Sequence, residues 1–276
     1  MEPIKVMVNG LPGSMSRVVA EHVAADNRFE LIPISLTGPE ISEIETTVSG
    51  NVLRLVRPEK RDEVIAEVKR STGLFISVDF THPSAVNDNA RFYCTHNLPF
   101  VMGTTGGDRL QLERSVMDSD TIAVIAPNMA KQIVGFQAMM DYAAKQFPAL
   151  FQDYSLQIRE SHQQGKADTS GTAKAMVKHF NALGVPFTEE SIFKERNPEQ
   201  QKTVWGIPEE ALRGHGWHTY TLSSADKTVR FEFSHNVNGR EIYARGTLDA
   251  VDYLNDKLRE GIKARVYSMI DVLQGK

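Results

Sequence analysis

Cysteine is almost absent from this 276-residue chain. Cys94 is the single one, so no disulfide can form within the chain. One thiol fits a reducing compartment, and no signal or transit pattern precedes the first apolar segment, so we expect a cytoplasmic protein. No apolar run approaches the ~20 residues of a membrane span, which predicts no membrane association. The formal net charge of −4 gives no reason to expect a nucleic-acid partner.

Several catalytic signatures are also missing. The chain has no P-loop, no G-x-S-x-G elbow and no H-E-x-x-H motif. His215, His218 and His235 do not follow a metal-ligand spacing, so we expect no metal site.

Strand and helix patterns alternate over the first half of the chain. This alternation predicts right-handed βαβ units and a parallel, Rossmann-type sheet. The predicted strands are 4–8, 29–36, 74–80, 99–102 and 122–126, and the predicted helices are 15–25, 62–69, 84–96 and 110–117.

The pattern changes after about residue 130. Strand-like segments then follow one another through short turns, which indicates an α+β domain with a mixed or antiparallel sheet. We therefore expect an α/β protein with two domains: a dinucleotide-binding domain of residues 1–129 and 247–276, and a substrate-binding and oligomerisation domain of residues 130–246. In the second part the predicted helices are 132–146, 171–183 and 249–273, and the predicted strands are 154–160, 203–206, 218–223, 228–235 and 241–246.

The turn Gly10-Leu11-Pro12-Gly13 separates the first strand from the first helix. Glycines let the backbone approach a pyrophosphate, and the helix start offers free N–H groups. A turn with Gly and Pro is also common before a helix that binds no ligand, and this turn lacks the full G-x-G-x-x-G pattern. Its place after the first strand favours a dinucleotide site.

The second predicted strand ends without a carboxylate before Glu40. An NAD site usually has an acid there for the ribose hydroxyls. Its absence, with Ser35 and Thr37 as hydrogen-bonding groups, favours NADPH, with NADH as the alternative; a plain polar loop is the other interpretation.

Three further loops follow predicted parallel strands, at the edge where open α/β sheets bind ligands. With the first two motifs they complete the expected dinucleotide contacts: Gly10, Gly13, Ser14, Met15, Ser35, Thr37, Phe80, Gly103, Thr104, Thr105, Pro127, Asn128 and Met129.

The densest motif is the segment 160–173, between a strand and a helix. His162 and Lys166 can donate protons or hold carboxylates, and the helix start at Ser170 can bind an anion. The alternative is that this segment is only a capped helix with a solvated loop, without a catalytic or binding role. Arg240, at a turn, can hold a carboxylate bidentately or be an ordinary surface arginine.

These residues together resemble the dihydrodipicolinate reductase (4-hydroxy-tetrahydrodipicolinate reductase) family, over essentially the whole chain. The segment from His162 through Lys166 to Ser170 is its most specific part, and Gln163, where the common bacterial form has a second histidine, is similar to the plant-type branch. The resemblance implies NAD(P)H-dependent reduction of a cyclic dicarboxylate in lysine and diaminopimelate biosynthesis. It further implies His162 and Lys166 as the catalytic pair, and Ser170, Gly171, Thr172, Gln163 and Arg240 as substrate contacts.

An open antiparallel sheet leaves a face or edge that must be covered. With the family resemblance, this predicts a homo-oligomer, either a dimer or a tetramer. Three alternatives stay open: a relative of aspartate or homoserine dehydrogenase, a family member that reduces a different cyclic imine, and a non-catalytic dinucleotide-binding sensor.

Overall fold

The computed structural model describes residues 2–275. It divides into two compact units, Met1–Lys131 with Glu241–Lys276, and Gln132–Arg240. The roles that the sequence analysis assigns to its two domains stay predictions. In chain order the helices and strands are β1 (Ile4–Asn9), α1 (Ser14–Ala25), β2 (Phe29–Leu31), β3 (Ile34–Leu36), β4 (Glu45–Val48), β5 (Asn51–Val56), α2 (Arg61–Thr72), β6 (Ile76–Asp79), α3 (Val86–Thr95), β7 (Phe100–Met102), α4 (Arg109–Met117), β8 (Ile122–Ile125), α5 (Lys131–Gln146), β9 (Ser155–His162), α6 (Gly171–Ala182), β10 (Phe193–Glu195), α7 (Pro198–Thr203), β11 (His215–Ser223), β12 (Arg230–Asn238), α8 (Glu241–Arg259), β13 (Arg265–Tyr267) and α9 (Met269–Gln274).

The first unit is built on a six-stranded sheet of order β13-β8-β7-β6-β1-β2. Every strand pair in it is parallel, which confirms the Rossmann-type prediction. The central strand β6 is buried at all four positions, as expected for a strand that is covered on both faces. Its last residue, Asp79, therefore brings a buried carboxylate to the ligand-binding edge.

The predicted single strand 29–36 is wrong in one respect. It is two strands, because Pro33 cannot donate to a ladder. β2 joins the large sheet, whereas β3 pairs with β5 in a separate three-stranded sheet of order β3-β5-β4. The β4–β5 hairpin, which the sequence analysis missed, turns at Ser49 and Gly50, both with positive φ.

The segment 241–246 is not a strand, as predicted, but the beginning of the 19-residue helix α8. One face of α8 is apolar and buried, and this helix packs against α1. The predicted terminal helix does not run to residue 273. It ends at Arg259, because the chain turns through Gly261 with φ +75° and then pairs as β13 with β8.

The second unit has a mixed four-stranded sheet of order β10-β9-β11-β12. β9, β11 and β12 are antiparallel neighbours, and β10 is parallel to β9. This confirms the predicted mixed sheet. Side chains from α5, α6 and one sheet face form its core, which includes Met140, Ile158, Met176, Phe180 and Tyr220.

The predicted strand 203–206 is wrong. The residues before it form the short helix α7, which Pro198 starts and Asn197 caps by accepting two backbone N–H bonds. Within residues 2–275, no helix combines the length and the apolar character that a membrane crossing requires.

Candidate active site

His162 is the last residue of β9 and lies opposite Gly216 of β11. A Cβ at position 216 would lie 3.0 Å from the imidazole Cε1, so the glycine makes room for the ring. His162 Nδ1 is 3.1 Å from the carbonyl oxygen of His215. A carbonyl only accepts, so Nδ1 carries the proton in the neutral ring.

The other nitrogen of this ring, Nε2, is buried and has no hydrogen-bond partner among the described residues. Burial lowers the pKa of His162 from 6.5 to about 4, against the opposing effect of Glu160. The imidazole is therefore neutral near pH 7. Its Nε2 is the acceptor of the neutral ring and lies 3.9 Å from the Glu160 carboxylate.

Lys166 lies in the loop that joins β9 to α6. Its ammonium is 2.9 Å from the carboxylate of Asp168 and lowers the pKa of that carboxyl. The Lys166 side chain is 24% exposed, and its backbone N–H donates to the carbonyl of the half-buried Gln163. The loop thus presents a charged proton donor next to the end of the strand that carries His162.

Helix α6 begins beside the same strand. Ser170 caps it, with Oγ accepting the N–H of Ala173, and its own N–H donates to Glu160 over 3.1 Å. The N–H groups of Gly171 and Thr172 lie in the first turn, where no intrahelical acceptor exists. Gly171 is exposed and open to solvent, so this helix start can accept an anion.

Arg240 follows β12 at this end of the sheet. A Cβ at Gly214 would lie 3.6 Å from its Nη1, and the neighbouring Gly239 N–H donates to the Gly214 carbonyl. Gly214 immediately precedes β11, where His162 is paired two residues further on. In the described part of the chain the Arg240 guanidinium forms no ion pair, so it is free for a ligand carboxylate.

Sequence reasoning missed the residues that support this end of the sheet. Glu160 is fully buried and His218 is 3% exposed. His218 Nε2 is 2.8 Å from Ser170 Oγ. The alternation along β9 places 156, 158, 160 and 162 on one face, and this could have identified Glu160 as inward-facing. Arg196 and Gln201 also contact the loop, and no local pattern marks them.

Glu160, His162 and His218 form a cluster whose ligand atoms all lie within 4.8 Å of one another. Such a set can in principle hold a metal ion. The carboxylate, however, already binds the Arg196 guanidinium and the Ser170 N–H, and His218 already binds the Ser170 hydroxyl. A bound cation would face Arg196 and break these bonds, so the cluster fits a hydrogen-bond network better.

In the other unit, the two glycines of the turn after β1 lie against neighbouring backbone. Gly10 has φ +99°, and a Cβ there would lie 2.2 Å from the Phe80 carbonyl oxygen. Gly13 caps α1, and a Cβ there would lie 2.7 Å from the Gly10 carbonyl oxygen. Helix α1 begins with the exposed residue Ser14 and the half-buried Met15, whose N–H groups lie in its first turn. This bare backbone cradle at a helix N-terminus fits a dinucleotide pyrophosphate.

Ser35 and Thr37 play a different part from the one expected. Both are buried. The Leu11 N–H donates to Ser35 Oγ over 3.2 Å, and Thr37 Oγ1 donates to the Leu11 carbonyl over 2.8 Å. Because their hydroxyls are used within the protein, these residues brace the glycine turn and are not free to bind a 2′-phosphate.

Asp79 organises the neighbouring loops. Its buried carboxylate accepts hydrogen bonds from Thr81 Oγ1, Thr104 Oγ1 and Tyr93, and burial together with this carboxylate raises the pKa of Tyr93 well above 10. Thr104 is thus a brace for the loop, whereas the next residue, Thr105, is exposed.

Phe80, Gly103 and the loop 127–129 are the remaining predicted contacts of the dinucleotide. A Cβ at Gly103 would lie 2.2 Å from the Phe80 ring, so this glycine lets the ring pack on the backbone. Pro127 is exposed and Asn128 half-buried, whereas Met129 is buried with its carbonyl against α8. These loops lie at the carboxyl ends of β6, β7 and β8, as expected for a ligand-binding edge.

The parallel sheet with its glycine cradle, and a second unit with a neutral histidine, a lysine and anion-binding groups at one end, define a dinucleotide-dependent oxidoreductase. Family models of dihydrodipicolinate reductase match twice: the N-terminal model at residues 4–129 and the C-terminal model at residues 133–273. The chain belongs to the dihydrodipicolinate reductase family, which confirms the resemblance.

Individual relatives agree with this assignment. The chain is 47% identical over 272 residues to 4-hydroxy-tetrahydrodipicolinate reductase 2, chloroplastic, of Arabidopsis thaliana, covering 98% of this chain and 77% of the relative. A bacterial 4-hydroxy-tetrahydrodipicolinate reductase from Janthinobacterium sp. is 28% identical, with 99% of each chain covered. The higher identity to the plant protein agrees with the plant-type features. A dipicolinate-bound dihydrodipicolinate reductase from Paenisporosarcina sp. TG-14 shares the fold, with a TM-score of 0.65, 18% identity, and 96% and 97% of the two chains covered.

Proposed function

We propose that this chain reduces 4-hydroxy-tetrahydrodipicolinate to tetrahydrodipicolinate with NAD(P)H, a step of lysine and diaminopimelate biosynthesis. One observation carries the proposal: His162, the loop of Lys166, the start of α6 and Arg240 lie at one end of one sheet, in a chain of this family. The net reaction adds one hydride and one proton to the substrate and releases water.

The substrate has two carboxylates, and the second unit offers two kinds of anion-binding group. The free N–H groups of Gly171 and Thr172 suit one carboxylate, with Ser170 holding the helix start in place. The unpaired Arg240 guanidinium suits the other. Gln163 is half-buried at the beginning of the loop between β9 and α6. It is the proposed polar contact of the substrate ring.

Proton delivery falls to Lys166, because an ammonium group is a proton donor, whereas the proton of the neutral His162 ring is on Nδ1 and is held by the His215 carbonyl. The neutral His162 Nε2 orients the substrate by accepting a hydrogen bond. When bound, the dinucleotide supplies the hydride. The first unit holds its pyrophosphate with the Gly10–Gly13 turn and with the N–H groups of Ser14 and Met15.

NADPH is the proposed preferred cofactor. No acidic residue lies between the end of β3 and Glu40, where an NAD site usually has one for the ribose hydroxyls, and this favours NADPH. The Glu40 carboxylate itself lies against Gly38. The hydroxyls of Ser35 and Thr37 do not contribute to this preference, since they are bound to Leu11. A kcat/KM ratio that favours NADH would refute the preference without touching the reaction itself.

The chain is also proposed to form a homo-oligomer, a dimer or a tetramer, through the second unit. β12 is the last strand of its sheet, and its Arg230, Phe231 and Glu232 are exposed. An uncovered strand edge favours association with another copy. A monomeric mass by light scattering at micromolar concentration would exclude this. The cytoplasmic location expected from the sequence stays a prediction.

A steady-state assay tests the activity. The substrate is generated enzymatically, and consumption of NADPH is followed with and without the protein. Substrate-dependent consumption supports the proposal. Tight NADPH binding without consumption would indicate a sensor, and turnover with a different cyclic imine alone would indicate a recruited family member.

A further inference from the structure

Arg196, the residue after β10, reaches into the loop that carries Lys166. Its side chain is 18% exposed. Nε donates to the carbonyl oxygen of Lys166 over 2.7 Å, and Nη2 donates to the carbonyl oxygen of Asp168 over 3.3 Å. One planar guanidinium thus holds two backbone carbonyls of the loop.

The same guanidinium is also held by the carboxylate of Glu160. Its Nη2 also donates to Oε1 of Glu160, which is fully buried, and the other oxygen of this carboxylate accepts the Ser170 N–H. Charge-assisted hydrogen bonds of this kind are the strong ones. Arg196 and Glu160 therefore join three parts of the site: strand β9, the middle of the loop and the start of α6.

The loop has little else to fix its shape. Between residues 163 and 169 the only internal bonds in the described structure are the turn from Lys166 N–H to the Gln163 carbonyl and the ion pair of Lys166 with Asp168. Gly165 has no neighbour within 4 Å of its Cβ position, and exposed ion pairs contribute little. The conformation of the Lys166 backbone therefore depends on Arg196.

We infer that Arg196 is a positioning residue for the proton donor: by holding the Lys166 and Asp168 carbonyls against Glu160, it sets where the Lys166 ammonium points. The inference rests on the proposed function, in which Lys166 delivers the proton. Gln201 supports the same loop at its other end, since its Nε2 donates to the His162 carbonyl over 2.7 Å.

The test compares Arg196→Lys with a matched control, Arg159→Lys. A lysine at 196 keeps a cation for Glu160 but cannot bridge two carbonyls. We expect kcat to fall about 10- to 100-fold, because small misplacements of a catalytic group have effects of that size. The Kd of NADPH should stay within about twofold, because the first unit holds the dinucleotide. The KM for the substrate should change less than kcat does, because the loop also carries Gln163, a proposed substrate contact.

Arg159 lies one residue before Glu160 on the opposite face of β9, with its guanidinium 4.7 Å from the Trp205 ring. Within residues 2–275 the Arg159 side chain forms no hydrogen bond to the loop, so Arg159→Lys should leave kcat unchanged. In Arg196→Ala, added guanidinium should restore part of the lost kcat, whereas it should not do so in Lys166→Ala. An unchanged kcat in Arg196→Lys overturns the inference. A loss of NADPH affinity and melting temperature in proportion to kcat also overturns it, because the role would then be purely structural.

Amide hydrogen exchange gives a readout that does not depend on turnover. Exchange over residues 163–169 should become faster in Arg196→Lys and stay at the wild-type rate in Arg159→Lys. Equal exchange in both variants overturns the inference. A wild-type protein without reductase activity would overturn the proposed function, and the exchange comparison would still decide whether Arg196 orders the loop.

Discussion

Replacing Gly10 by alanine tests whether the dinucleotide turn depends on close backbone packing. Gly10 has φ +99°, and an added Cβ would lie 2.2 Å from the Phe80 carbonyl oxygen and 2.8 Å from Ser16 Oγ. Ordinary van der Waals contact begins near 3.4 Å, so the turn and the Phe80 carbonyl would have to separate by 3.4 − 2.2 = 1.2 Å. Ser16 Oγ now donates to that same carbonyl, so the movement also strains this hydrogen bond.

Two costs contribute to the expected effect. A positive φ costs alanine roughly 1–2 kcal/mol, and forced overlap costs roughly 1–3 kcal/mol more. Gly50→Ala is the matched control, because Gly50 has φ +80° in the same unit but no atom within 4 Å of its Cβ position. It should show the first cost alone, so the difference between the variants isolates the close approach.

Urea unfolding and calorimetric titration with NADPH measure the two parts of this difference. If the turn moves to relieve the overlap, the cost appears in binding, and the Kd of NADPH rises by roughly tenfold or more, since about 1.4 kcal/mol equals a factor of ten. If the turn stays in place, the cost appears in the free energy of unfolding. The reasoning is refuted if Gly10→Ala is as stable as Gly50→Ala and binds NADPH as tightly as the wild type.

Three further outcomes are expected. Lys166→Ala should lower kcat by roughly 10²–10⁴-fold with an unchanged Kd for NADPH, because the residue belongs to the second unit; a kcat within a few-fold of wild type would contradict its role as proton donor. Asp79→Asn should raise the KM for NADPH more than it lowers kcat, since the amide nitrogen in place of Oδ2 cannot accept the bonds from Tyr93 and Asn89; an unchanged KM in steady-state assays would count against the bracing role. Burial lowers the pKa of His235 from 6.5 to about 4, so the unfolded chain binds more protons between these values, and the free energy of unfolding should fall as the pH drops from 6.5 to 4. In His235→Leu that fall, measured by urea unfolding across the pH range, should be smaller, and an equal fall would mean that His235 does not contribute.

The parallel sheet could be predicted because its strands are short apolar runs separated by helical periods. The errors lie where local pattern permits two structures. Over the six residues 241–246, Ile242 and Ala244 alternate like the residues of a strand, and the helical spacing becomes visible only when Ala244 is taken together with Leu248 and Val251. In the fold, Gly246 lets α8 approach the backbone of Met129 closely, since a Cβ there would lie 1.8 Å from the Met129 carbonyl oxygen. That contact is invisible in the sequence.

The candidate site also contains residues that could be predicted from the sequence and residues that could not. His162, Lys166 and the α6 start lie within one segment, so their proximity could be predicted from the chain alone. Arg196 could not be predicted, because its partners lie 28, 30 and 36 residues away. Ser35 and Thr37 show the opposite error. They lie at the end of β3, but both are buried and their hydroxyls are bound to the Leu11 backbone.

The chain order of the two units has a consequence for how the protein is made. The second unit is one continuous stretch, Gln132–Arg240, whereas the first unit needs α8 and β13 from the last 36 residues. β13 closes one edge of the large sheet by pairing with β8. Domains generally fold as units during synthesis, the earlier one first. Here the second unit is synthesised completely before α8 and β13 of the first unit. The second unit can therefore complete its sheet on the ribosome before the first unit has all of its strands.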